Sequence, residues 1–96
     1  MKMLLVVYSQ AADYDVIANL KQAGVRCYTK MEGVRGEGTD TEPKLGTHTW
    51  PGGNNVLLIA VENEKVDQIM ETIMQTQKEH PRAGVKTFII PIVEWK

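Results

Sequence analysis

Two stretches of the chain are apolar at every position, residues 3–8 (Met3, Leu4, Leu5, Val6, Val7, Tyr8) and residues 56–61. Short unbroken runs rich in Leu, Val and Ile predict strands that are covered on both faces or lie in a subunit interface. Residues 25–31 alternate instead. Val25, Cys27, Thr29 and Met31 fall on one side, and Arg26, Tyr28 and Lys30, continuing to Glu32, on the other. A period of two predicts a third strand. Its more polar side, with Arg26, Tyr28 and Lys30, is expected to be wetter or to touch a ligand. Cys27, on the other side, is expected to be buried and inert. Residues 85–93, with Phe88, Ile89, Ile90, Ile92 and Val93, predict the last strand. Pro91 lacks a backbone donor and so marks an edge or a bulge there.

Between these runs the period lengthens. Ala12, Val16, Ile17, Leu20 and Ala23 recur at helical spacing, which predicts a helix over residues 12–23. Ser9, Asp13 and Asp15 can cap its start, and Gly24 stands at the left-handed position that ends it. Val66, Ile69, Met70, Ile73 and Met74 form a one-sided stripe, with Asn63 as a cap and Pro81 and Gly84 as the stop. Acidic residues at the first turn and Lys78 near the last suit the helix dipole. The order is strand, helix, strand, loop, strand, helix, strand. Two βαβ units sharing one antiparallel sheet make a ferredoxin-like α+β domain, βαββαβ. Right-handed crossovers place both helices on one face of the sheet. Residues 3–8 and 56–61 are nevertheless apolar on both faces. The uncovered face therefore predicts a homo-oligomer, and Trp95 suits such an interface.

Residues 33–53 break the pattern. Six of the eight glycines lie there, namely Gly33, Gly36, Gly38, Gly46, Gly52 and Gly53. Leu45 is the only large apolar residue between Arg35 and Thr49. Such a segment buries too little surface to offset its ordering entropy, so it is expected to be mobile by itself. Loops of this length in compact domains tend to be functional.

Composition narrows the function classes. Ninety-six residues make one domain, 1–96, and 43% hydrophobic with 24% charged residues is ordinary for a globular chain. Eleven basic against twelve acidic residues leave a net charge of −1, so nothing draws a nucleic-acid backbone. The six-residue apolar run at the start is too short for a signal peptide or a membrane span, which predicts a cytoplasmic protein without membrane insertion. One cysteine permits no internal disulfide.

The candidate chemistry is sparse. In Gly33-Val34-Arg35-Gly36-Glu37-Gly38-Thr39, glycine amides can approach an anion and Arg35 adds charge. No Gly-Lys-Ser/Thr ending and no helix follows, so neither the P-loop nor the dinucleotide fingerprint applies. The plain alternative is a flexible loop. His48 is either solvated or a ligand contact, and Trp50 either packs at a subunit boundary or stacks on a ligand. Gly84 either only turns the chain or, with Lys86, meets a phosphate. No nucleophile with a partner and no carboxylate pair in an apolar setting is visible, which predicts a protein that is not an enzyme. No metal-ligand spacing is present.

Thr29 and Glu32 leading into the glycine-rich segment, the stretch from Asn54 to Asp67 (NNVLLIAVENEKVD) and the closing Phe88-Ile89-Ile90-Pro91-Ile92-Val93-Glu94 resemble PII-like signalling proteins of the nitrogen regulatory superfamily. The resemblance spans nearly the whole chain. It implies a ferredoxin-like homotrimer with small-molecule effectors bound in clefts between subunits. It also implies that residues 33–53 correspond to the T-loop, an effector-responsive loop that docks on a target protein. Thr29 matches a threonine near the nucleotide site, Gly36 and Gly38 resemble the Gly-x-Gly at the T-loop base, and Gly84 with Lys86 resembles the end of the phosphate-contacting B-loop. Residues 33–53 contain no tyrosine of the kind uridylylated in some members. A divergent member binding an adenine nucleotide, a cyclic dinucleotide, bicarbonate or a metal is the reading this implies. The related divalent-cation tolerance proteins share the trimer, and the alternative is a metal-binding module using His48, Glu62 or His80.

Overall fold

A computed structural model describes residues 1–36 and 53–96. Strand β1 (Lys2–Ser9) runs through a short 3-10 turn (Gln10–Ala12) into helix α1 (Asp13–Gln22). Strands β2 (Thr29–Val34) and β3 (Asn54–Val61) follow, then a second 3-10 turn (Asn63–Lys65), helix α2 (Val66–Glu79), a third turn (Pro81–Ala83) and strand β4 (Lys86–Pro91). The sheet order is β2-β3-β1-β4, and every pairing is antiparallel. This is the predicted ferredoxin-like α+β fold.

The two apolar runs take the middle of the sheet, where both edges of each strand are hydrogen-bonded. Alternation then divides their side chains. Leu4, Val6 and Tyr8 pair with Ile59, Leu57 and Asn55 and point toward the helices. They meet Val16 and Leu20 of α1 and Ile69 and Ile73 of α2 in one core. Leu4, Val6, Tyr8 and Leu57 are completely buried, each worth roughly 1.5–3 kcal/mol of transfer free energy.

The opposite face carries Met3, Leu5 and Val7, paired with Ala60, Leu58 and Val56 on one side and with Ile90, Phe88 and Lys86 on the other. No helix among the described residues covers it in the single chain. Phe88, Ile90 and Met31 remain between two-fifths and half exposed there. Pro91 ends β4, which is an edge strand, as its missing donor requires.

Some boundaries shift. Residues 25–28 lie outside any strand, and β2 begins at Thr29 and runs on to Val34. Ser9 does cap, but it caps the 3-10 turn, its Oγ accepting from the Ala11 amide, while Asp13 and Asp15 sit inside the first turn of α1. Cys27 is exposed rather than buried, because the chain has not yet joined the sheet at that point. The polar side of β2 is also reversed. Lys30 pairs with Leu57 and so points to the helix side, while Thr29 and Met31 are exposed on the open face. Lys30 is accommodated because Asp13 waits there as a counter-ion and the lysine stem is apolar.

Candidate functional site

The end of the sheet that carries Ser9, Val34 and Asn54 gathers most of the chemistry. Gly33 and Gly53, at the two ends of segment 33–53, have φ of +72° and +102°. A Cβ on Gly53 would stand 3.2 Å from the Val34 carbonyl oxygen, a crowded contact added to the strain of the positive φ. The β2–β3 register shifts between Met31 and Val34, so β2 bends as it leaves the sheet.

A polar network lies beneath these two glycines. Asn55 is 2% exposed. Its Nδ2 donates to Asp13 Oδ1 at 3.1 Å, and its Oδ1 accepts from Gln10 Nε2 at 3.0 Å and from the Gly33 amide at 3.4 Å. The Gln10 backbone amide donates to the Gly53 carbonyl at 3.0 Å. Asp13 also accepts from the Tyr8 hydroxyl at 2.6 Å on Oδ1 and from Lys30 Nζ at 3.0 Å on Oδ2. Lys30 lies 3.5 Å from Glu32 as well.

This network fixes protonation states. Burial pushes the Asp13 carboxyl up, but hydrogen bonds from Tyr8, Lys30 and Asn55 outweigh it and hold the group below its ordinary value. Burial, and then the bond to Asp13, pushes the Tyr8 hydroxyl far above the usual tyrosine range. The bond to Asp13 raises Lys30 despite its partial desolvation. An ionised carboxylate with both oxygens engaged by three donors is arranged as an anchor, not poised to exchange a proton with a substrate.

The predicted site residues separate into groups. Thr29 and Lys86 both face the open side of the sheet, but on opposite edge strands. Thr29 pairs with Leu58, which pairs with Leu5 and then Phe88; Lys86 pairs with Val7, two residues along. Three strand spacings, about 14 Å, keep them apart within one chain. Arg35 and Gly36 are exposed just beyond β2, at the same end of the sheet as Lys86. Gly84 takes the left-handed conformation, φ +65°, where the Pro81–Ala83 turn swings into β4. Gly38, His48 and Trp50 lie outside the described residues.

Metal ligation through Glu62 and His80 is not supported. They flank α2, whose 14 residues keep them roughly 20 Å apart. His80 Nε2 instead lies 3.2 Å from Asp15 Oδ2. Among the described residues no group of three His, Cys, Asp or Glu side chains could hold a metal ion.

Two clefts were not foreseen from sequence. One, of about 270 Å³, opens beside the 80–84 turn, with Ser9, His80 and Arg82 on its walls. The other, of about 600 Å³, lies at the far end of the sheet, among Arg26, Cys27, Glu62, Lys65, Ile92 and Trp95. Of the polar network, Lys30 was marked by its place in an alternating strand and Asp13 only as a helix cap. Tyr8 was hidden in an apolar run, and Asn55 and Gln10 carry no local signal. No helix among the described residues is long and apolar enough to cross a membrane.

Comparison with known proteins agrees with this architecture. No curated protein matches the chain in sequence. A PII-like nitrogen regulatory protein, CPII from Thiomonas intermedia K12, solved with ADP, AMP and bicarbonate, superposes with a TM-score of 0.73 at 21% identity, covering 99% of this chain and 93% of that one. The same protein with ADP, AMP and acetate gives 0.72 at 21%, with coverage of 95% and 84%. A PII-like signalling protein from Thermus thermophilus gives 0.65 at 22%, with coverage of 92% and 81%. At these identities the likeness is one of fold. Residues 1–95 match the family described as Nitrogen regulatory protein P-II, and the chain belongs to that family.

Proposed function

We propose that the protein is a non-enzymatic regulator that binds an anionic effector, an adenine nucleotide or a small anion beside one, in clefts between copies of itself. In this reading effector binding alters residues 33–53, which then engage a target protein. The observation that carries it is the placement of Thr29 and Lys86. They share one face of the sheet and lie on opposite edges, so one chain cannot close them around a ligand. A second copy packed on the open apolar face brings one chain's β2 edge beside another's β4 edge, and three copies close the ring. Arg35, the Gly36 amide and Lys86 then supply positive charge and donors at the same end of the assembly.

The ADP, AMP and bicarbonate bound by CPII support this effector class. A cytoplasmic setting suits an exposed, unpaired cysteine, since reducing conditions keep it a thiol. The test is calorimetric titration of the purified protein with ATP, ADP, AMP, cyclic dinucleotides and bicarbonate. Binding by at least one, weakened about tenfold or more by Lys86→Ala with an unchanged melting temperature, is the expected result. Binding by none of them overturns the reading.

A further inference from the structure

The polar network under Gly33 and Gly53 has a layout that fold stability alone does not require. Asn55 is buried at the start of a strand that is apolar from Val56 onward, at a position where the next helix-facing residues are Leu57 and Ile59. A buried amide is unfavourable unless its hydrogen bonds are met. Here they are met in a particular way. The Asn55 side-chain oxygen receives one foot of segment 33–53 through the Gly33 amide, and it receives Gln10, whose backbone amide holds the other foot through the Gly53 carbonyl. The Asn55 amino group is held by Asp13, itself locked by Lys30 and Tyr8 at the first turn of α1. One side chain thus joins both feet to one helix end. The strand bend before Val34 and the crowded, left-handed backbone at Gly53 bring the two feet close together.

We propose that Asn55, with Gln10 and the Asp13–Lys30 pair, is a clamp that fixes the spacing and direction of the two feet of segment 33–53. Through it, changes at the feet are referred to α1 rather than lost in independent fraying. The clamp's regulatory meaning rests on the proposed function, since it would then determine how effector binding reaches the loop. Its positioning role stands on the geometry alone. Asn55, Gln10, Asp13 and Lys30 are positioning residues; none is assigned to the effector.

Hydrogen exchange on the intact protein tests this with three variants. In Asn55→Ala the amides at 33–36 and 53–54 exchange about tenfold faster or more than in wild type, well beyond the change in the middle of β1. Tyr8→Phe, which weakens the same network without touching either foot, leaves the ratio of foot to β1 exchange within about twofold of wild type. Gln10→Ala, which removes the side-chain bond to Asn55 but keeps the backbone bond to Gly53, loosens residues 33–36 and 53–54 less than Asn55→Ala does. Where ADP binds, Asn55→Ala keeps its affinity within about threefold but loses the ADP-dependent change in exchange across the loop. Should Asn55→Ala and Tyr8→Phe alter the feet and β1 in the same proportion, Asn55 is ordinary core structure and the clamp is refuted. Failure of wild type to bind any effector removes the functional reading while leaving the exchange comparison decisive for the clamp.

Discussion

The Tyr8 hydroxyl donates to Asp13 Oδ1 at 2.6 Å across the junction between the first strand and the first helix. Tyr8 is completely buried and Asp13 only partly so, which makes the pair a boundary between core and polar network. A buried phenol needs an acceptor, and a carboxylate lined with donors is a strong one. The two groups therefore hold each other in the neutral and ionised states respectively.

That mutual hold has a signature at both ends of the pH scale. Asp13 titrates below its ordinary value in the fold, so its contribution is complete above about pH 4, the unfolded value, and is lost as pH falls through the folded one. Tyr8 titrates above its ordinary value, so its contribution is complete below about pH 10 and fades as pH rises beyond it. Asp13→Asn should be less stable than wild type by roughly 1–3 kcal/mol at pH 7, with the gap narrowing below about pH 4. Urea denaturation between pH 3 and 8 reads it, and a gap that widens on acidification is the contrary result.

Gly53 combines a φ of +102° with a close carbonyl neighbour. Gly53→Ala should destabilise the fold by about 1–3 kcal/mol, since the added Cβ meets both strain and the Val34 oxygen. Gly84→Ala, also left-handed but with nothing within 4 Å of its Cβ, should be milder. Thermal unfolding of the two variants side by side checks the order.

Assembly should depend on the open sheet face. Leu5, Leu58 and Phe88 form one row across it, and Phe88 is 50% exposed in the single chain. Phe88→Glu places a charge where a second copy would pack, at little expense to the isolated fold. Light scattering after gel filtration should show wild type as a trimer and Phe88→Glu as a monomer, folded by circular dichroism. A monomeric wild type would leave the composite cleft without a basis.

The fold was legible because its strands and helices keep their own periods. Residues 3–8 and 56–61 announced the central strands, and the stripe from Val66 to Met74 announced α2. The direction of Lys30 was misread because solvent and a half-buried counter-ion both accept a lysine, and only the tertiary fold supplies Asp13. Cys27 was misread because strand period continues past the point where pairing stops. The network joining residues 8, 10, 13, 30 and 55 was invisible for a related reason. Its members come from separate elements of the fold, and no pair of them has a spacing that means anything along the chain.

The central claim is that Thr29 and Lys86 of different copies build one effector cleft, and subunit mixing tests it most directly. Thr29→Arg and Lys86→Ala chains, each binding ADP poorly alone, are unfolded together, refolded and titrated. Random three-membered rings should recover about a quarter of the wild-type sites, because each mixed ring contains one interface with both native residues. Mixed rings that form but bind no more ADP than their parents would contradict a cleft shared between copies.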